Sequence, residues 1–141
     1  MRIEEWITKL KNDCLVLQGR VFGAAEMAVA KTNSMQTPCV FIIPMAESAK
    51  GNTLAGGHSQ EITAQVGVYI AVTNKSDARG EAAHAMLESV RDEIKKVLCA
   101  WQPTNADFPV DFVAGQLIGY DNYTMRWSDV FTTQLYYRKV L

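Results

Sequence analysis

The chain has 141 residues, a formal net charge of −1, and apolar and charged fractions of 48% and 21%, the make-up of an ordinary globular protein. Its acidic and basic residues are interspersed, with no basic stripe of the kind that releases counterions from nucleic acid, so strong nonspecific nucleic-acid binding is excluded. The length suits one domain, 1–141, with a single core, and near-neutrality allows like copies to approach one another.

From Met1 to Leu10, Glu4, Glu5 and Lys9 interrupt the apolar residues, which is the pattern of neither a signal peptide nor a membrane span. Ile3, Ile7, Leu10 and Cys14 recur at helical spacing with Trp6 beside them, predicting an amphipathic opening helix. Leu15 to Val21 is short and mixed and reads as a candidate strand leading into Gly23. Ala and Met density predicts a second helix over Ala24 to Lys31, with a break at Asn33 and Ser34.

Pro38 to Met45 is a continuous apolar run, the length of a buried strand. Ala46 to Ser59, with Gly51, Asn52, Gly56 and Gly57, reads as a long mobile loop. Glu61 to Val72 then alternates, with Ile62, Ala64, Val66, Val68, Ile70 and Val72 on one face, and should pair with the preceding strand as an antiparallel hairpin.

Ser76 or Asp77 is a candidate cap for a helix reaching about Cys99. Its apolar stripe is Ala83, Leu87, Val90, Ile94 and Val97, opposite Glu88, Arg91, Asp92 and Lys95. A loop with Pro103 and Pro109 follows. A two-residue turn at Asp121-Asn122 would then set Tyr120 against Tyr123, Ile118 against Met125, Gln116 against Trp127, Ala114 against Asp129 and Phe112 against Phe131. Thr124, Arg126, Ser128, Thr132, Gln134 and Arg138 take the other face, toward water or a partner. The expected fold is α+β, a four-stranded antiparallel sheet with helices packed on one side.

The sequence carries few residues in a catalytic or ligand-binding arrangement. The glycines of the 51–57 loop have the separation of a phosphate-binding loop, but Gly57 stands in place of its Lys, His58 in place of its Ser or Thr, and a strand follows where a helix is needed. Cys14, Cys39 and Cys99 are widely spaced in apolar stretches and read as buried reduced thiols without a metal. His58 falls in the loop as a solvated side chain, and His84 falls on the helix near Glu81 and Glu88. Asp92 and Lys96 read as a surface pair. Asp129 projects onto the apolar face of the last hairpin and needs a partner there, with backbone or Trp127 as the simplest. Trp101 and Trp127 are core anchors that could equally serve an interface, as could Arg126. No catalytic residue, cofactor site or metal site is assigned.

Taken in order, Gly23-Ala24-Ala25, Pro38 to Phe41 with Pro44, the strand after Gln60, Asn74 with Arg79-Gly80-Glu81-Ala82-Ala83, Leu98 with Trp101-Gln102-Pro103, Phe112, Gly115, and Trp127, Asp129, Phe131 and Thr133 span nearly the whole chain. In this order and spacing the sequence resembles the tail terminator, or tail completion, proteins of tailed bacteriophages and prophages, related in fold to the minor tail protein that caps lambda-like tails. One departure is Ala100, where a turn-forming Gly is expected before the Trp.

The resemblance implies a structural subunit made in the host cytoplasm. It would form a ring, typically of six copies, on the head-proximal end of the tail tube, stop its polymerisation and meet the head-completion or connector protein, with no membrane and no sequence-specific nucleic acid involved. Two surfaces are candidates for assembly: Gly51, Asn52, Leu54, Gly56, Gly57 and His58 in a loop that would order against a neighbour, and Arg126, Thr132, Gln134 and Arg138 on the polar sheet face. The competing readings are another head-to-tail connector or tail structural protein, and a small enzyme whose site, drawn from Asp129, His84 and the aromatic face, is shared between subunits.

Overall fold

The computed structural model describes residues 2–29, 35–76 and 79–140. In chain order these form α1 (Ile3–Asp13), a 3₁₀ turn (Leu15–Leu17), β1 (Val21–Phe22), α2 (Ala24–Val29), β2 (Cys39–Ala49), β3 (Gly57–Thr73), α3 (Glu81–Leu98), β4 (Asp111–Asp121) and β5 (Thr124–Val140). The class is α+β as expected, but the sheet has five strands in the order β1-β2-β3-β5-β4 and is mixed, because β1 runs parallel to β2. The candidate strand leading into Gly23 is present but shorter than expected, Val21–Phe22 alone, with a 3₁₀ turn at Leu15–Leu17 before it, because so short a strand leaves no periodicity to set its start.

The main core lies between one sheet face and the helices α1 and α3. Val40, Ile42, Val66, Val68, Ile70, Val72 and Phe131 meet Trp6, Leu10, Leu87, Val90, Ile94 and Leu98, all buried. Each such aliphatic side chain contributes about 1.5–3 kcal/mol through burial. Trp101 closes the end of this layer, edge-on to Trp6 at 5.5 Å.

The expectation of helices on one side only is corrected by α2. Cys39, Phe41 and Ala71 form a second small cluster on the opposite face with Phe22, Met35, Ile43 and Tyr69, and Met27 of α2 borders a cavity beside Phe41, Tyr69 and Ala71. No α2 residue is itself buried, so the helix lies over that cluster without carrying an apolar stripe of its own. Residues 30 to 34, with the break expected at Asn33 and Ser34, lie outside the described residues.

The α3 N-terminus also differs from expectation. The helix begins at Glu81 after Gly80, whose φ of 84° is left-handed, and a Cβ there would lie 3.1 Å from the Tyr120 ring, so glycine suits both the backbone and the space. Ser76 instead turns back, its N–H and Oγ donating to Asn74 Oδ1 at 2.9 and 2.6 Å. Asp77 lies outside the described residues. On the helix surface Lys96 pairs with Glu93 at 3.4 Å, not with Asp92.

The last hairpin turns one residue later than expected. Asn122 and Tyr123 carry the positive φ values, 48° and 60°, and Asp121 faces Thr124, the arrangement of a tight hairpin turn. Near the turn Tyr120 therefore opposes Met125, where the sequence reading set Tyr123. Bulges at Val113 and Ile118 then each absorb one residue of β4, so Leu117 opposes Trp127, Gly115 opposes Asp129, and Phe112 returns to Phe131. The expected Phe112–Phe131 pair survives, while the four pairs nearer the turn do not.

Candidate assembly surfaces

Beyond the helices, three strands continue as an arm. Every residue from Pro44 to Ala49 is exposed, as is every residue from Tyr137 to Val140, so neither sheet face is covered there. The expected long loop is accordingly corrected: β2 reaches Ala49 and β3 starts at Gly57, leaving only residues 50–56 between them. In β2, Ala46 and Ser48 on one face and Glu47 and Ala49 on the other are all exposed, so the strand lacks the alternation that marks a half-buried one.

The short loop is braced within the chain by Asn52. Asn52 Oδ1 accepts from the N–H groups of Leu54 and Ser59 at 3.0 and 2.8 Å. Its Nδ2 donates to the carbonyls of Leu54 and Gly57, both at 3.2 Å. Gly51 and Gly56 are exposed, Leu54 is half exposed, and Gly57 is buried beneath Leu54. His58 is packed more than expected: its ring stands edge-on to Tyr137 at 5.9 Å and bonds Gln60 Oε1 at 2.6 Å.

The four polar-face candidates share a sheet face but form no single patch. Ser59 pairs with Arg138, so Arg138 joins the tip of the arm, where it lies over Tyr136 and 3.7 Å from Asp107. Thr132 bonds the Ala64 carbonyl at 3.1 Å in mid-strand, and Gln134 accepts the Asp107 N–H through its carbonyl at 2.9 Å. Arg126 lies at the other end, paired with Asp121. Twelve residues of strand separate the two arginines, about 40 Å. Thr124 and Ser128, expected to meet water or a partner, are buried, Thr124 against the Thr73 hydroxyl at 2.8 Å.

The feature that sequence reasoning missed is Arg91. Assigned to the polar face of its helix, it is instead buried and donates to Asp129 through Nε and Nη2, each at 3.0 Å. Trp127 Nε1 donates to the same carboxylate at 2.8 Å, as anticipated, and the guanidinium also stacks 4.4 Å from the Trp127 ring centre. Burial alone would lower the arginine pKa, but Asp129 and then Glu88 outweigh it, and the net shift is upward. The spacing held a clue, since Arg91 follows Leu87 by four residues and adjoins Val90.

Gly115 roofs this cluster. A Cβ there would lie 2.6 Å from Asp129 Oδ1, 2.8 Å from Arg91 Nη2 and 2.9 Å from Trp127 Nε1. With both its oxygens hydrogen-bonded and no space above it, the carboxylate holds β5 to α3. His84 is exposed on α3 and does not join it.

Among the described residues, no three His, Cys, Asp or Glu side chains gather as a metal site, and no helix is long and apolar enough to cross a membrane. An apolar cavity of about 150 Å³ lies among Met27, Phe41, Tyr69, Ile118 and Arg126, with no acid–base pair among the described residues that line it. These features define an α+β protein with an ion-paired core, an exposed three-stranded arm and open sheet edges. A model of the phage tail terminator protein family matches residues 1–139, and the chain belongs to that family. It is thus a structural protein of the phage tail. A search of curated proteins finds no match.

Proposed function

We propose that copies of this chain, each acting as one domain, close into a ring of six on the head-proximal end of the tail tube, halt its polymerisation and offer the outer rim to a head-completion protein. The family match over residues 1–139 carries the reading. The exposed arm, the open edges of β2 and β4 and the near-zero net charge all support repeated contact between copies. A closed ring requires a head-to-tail interface, in which two different surfaces of the protomer meet. The arm and the edges supply such unlike surfaces.

The test is sedimentation of the purified protein alone and with purified tail tubes, followed by microscopy of tubes carrying the gold-labelled protein. The expected result is one discrete oligomer seated at a single end of each tube. Labelling along the tube walls, or none at all, would contradict the proposal.

A further inference from the structure

We infer that neighbouring copies join by continuing the sheet, the outer edge of β4 in one copy pairing with the outer edge of β2 in the next. The inference rests on the ring reading above and specifies its contact surface. Both edges are open among the described residues. β4 is the last strand of the sheet, and β1 covers β2 only at Val40 and Phe41.

An exposed edge is normally guarded by lysine, proline or a covering element, because its free N–H and C=O groups template pairing with another chain. The β4 sequence from Asp111 to Asp121 contains no Lys, Arg or Pro, every residue from Asp111 to Ile118 is exposed, and Phe112, Val113, Leu117 and Ile118 are among the exposed large apolar side chains. Such an edge in a tail protein reads as one kept open for a partner.

Direction, length and charge together specify a second copy as that partner. β2 and β5 run one way and β3 and β4 the other, so extending the sheet places β4 beside the next β2 in the antiparallel sense, the more stable pairing. The two open stretches match, eight residues from Asp111 to Ile118 and eight from Ile42 to Ala49.

Setting Phe112 opposite Ala49, one residue past full overlap, matches the sheet faces and places Asp111 opposite Lys50, whose side chain is 76% exposed even while it reaches Glu61 of its own chain at 3.5 Å. Phe112 falls opposite Ala49, and both belong to the helix-side face, Phe112 through its partner Phe131 and Ala49 through Ile62. At the far end Leu117 and Ile118 come beside Ile43 and the exposed Met45. The bulges at Val113 and Ile118 and the one at Met45 leave the faces matched along the overlap.

The test is a double variant, Lys50→Cys with Asp111→Cys, mildly oxidised on tail tubes, beside each single variant and an equal mixture of the two. The double variant should give a ladder of reducible covalent multimers, the mixture covalent dimers and nothing longer, and each single variant only the wild-type background. If wild-type protein forms its oligomer on tubes while the double variant gives no ladder, the edge pairing is wrong and the ring reading stands. If wild-type protein never oligomerises with tubes, both fall.

Discussion

Asp129 of β5 accepts two hydrogen bonds from Arg91 of α3, each 3.0 Å long, with its side chain wholly excluded from solvent. A buried pair of this kind adds little net stability over an apolar replacement, yet breaking it leaves one charge stranded. Asp129→Ala should therefore destabilise the fold by about 3–5 kcal/mol, read as a lowered urea midpoint. Replacing Arg91 and Asp129 together by Met and Leu should cost much less than either single change. Additive losses in the double variant would show that the two residues are not coupled.

Ala100 has a φ of 68°, a left-handed conformation that side chains with a Cβ disfavour. The turn forms nonetheless, its N–H donating to Val110 O at 3.0 Å while the Val110 N–H returns to Trp101 O at 2.7 Å. Ala100→Gly should raise stability by about 0.5–1 kcal/mol, seen as an upward shift in thermal midpoint. A lowered midpoint would mean that the alanine methyl contributes packing that outweighs its backbone strain.

Burial, followed by the nearby Glu93 charge, raises the Cys14 thiol from its ordinary 9.0 to about 11. Folding thus holds this proton more tightly than the unfolded chain does. The stability it lends is complete below pH 9 and lost as pH rises toward 11. At pH 8 the thiolate fraction of Cys14 should be about a hundredfold below that of an ordinary thiol. Alkylation followed by mass mapping should modify the half-exposed Cys99 before the buried Cys14 and Cys39, and all three together once the chain is unfolded.

The arm lies outside the main core, so removing residues 51–56 should leave the thermal midpoint of the monomer within a few degrees of wild type while abolishing assembly on tubes. Reversing the charge of Arg138, at the same tip, should weaken assembly. Reversal of Arg126, about 40 Å away, tests the opposite end of the same strand. Assembly at wild-type level by the deletion would remove the arm from the interface.

How much of this was legible depended on burial. The stripe of Ile3, Leu10, Leu87, Val90 and Ile94 and the alternation from Ala64 to Val72 were readable because one face meets the core and the other meets water. The arm was not readable, because strands exposed on both faces have no reason to alternate. Arg91 was hidden by its charge, which resembles a surface residue until the partner 38 positions away is placed beside it. The pairing of β4 with β5 was only partly legible, since bulges shift a register without changing composition, although the Phe112–Phe131 contact survived both of them. Of the residues proposed for assembly, those of the 51–58 segment lie together at the arm's tip with Arg138, while Arg126 lies at the other end of β5.

Termination of the tail tube is the central role proposed for this chain. Tails assembled in a host that carries the phage genome with this chain deleted should be measured by electron microscopy. Tubes of uncontrolled length, many longer than wild type and without heads, are the expected result. Tubes of normal length, or no tubes at all, would show that the chain is not what stops the tail.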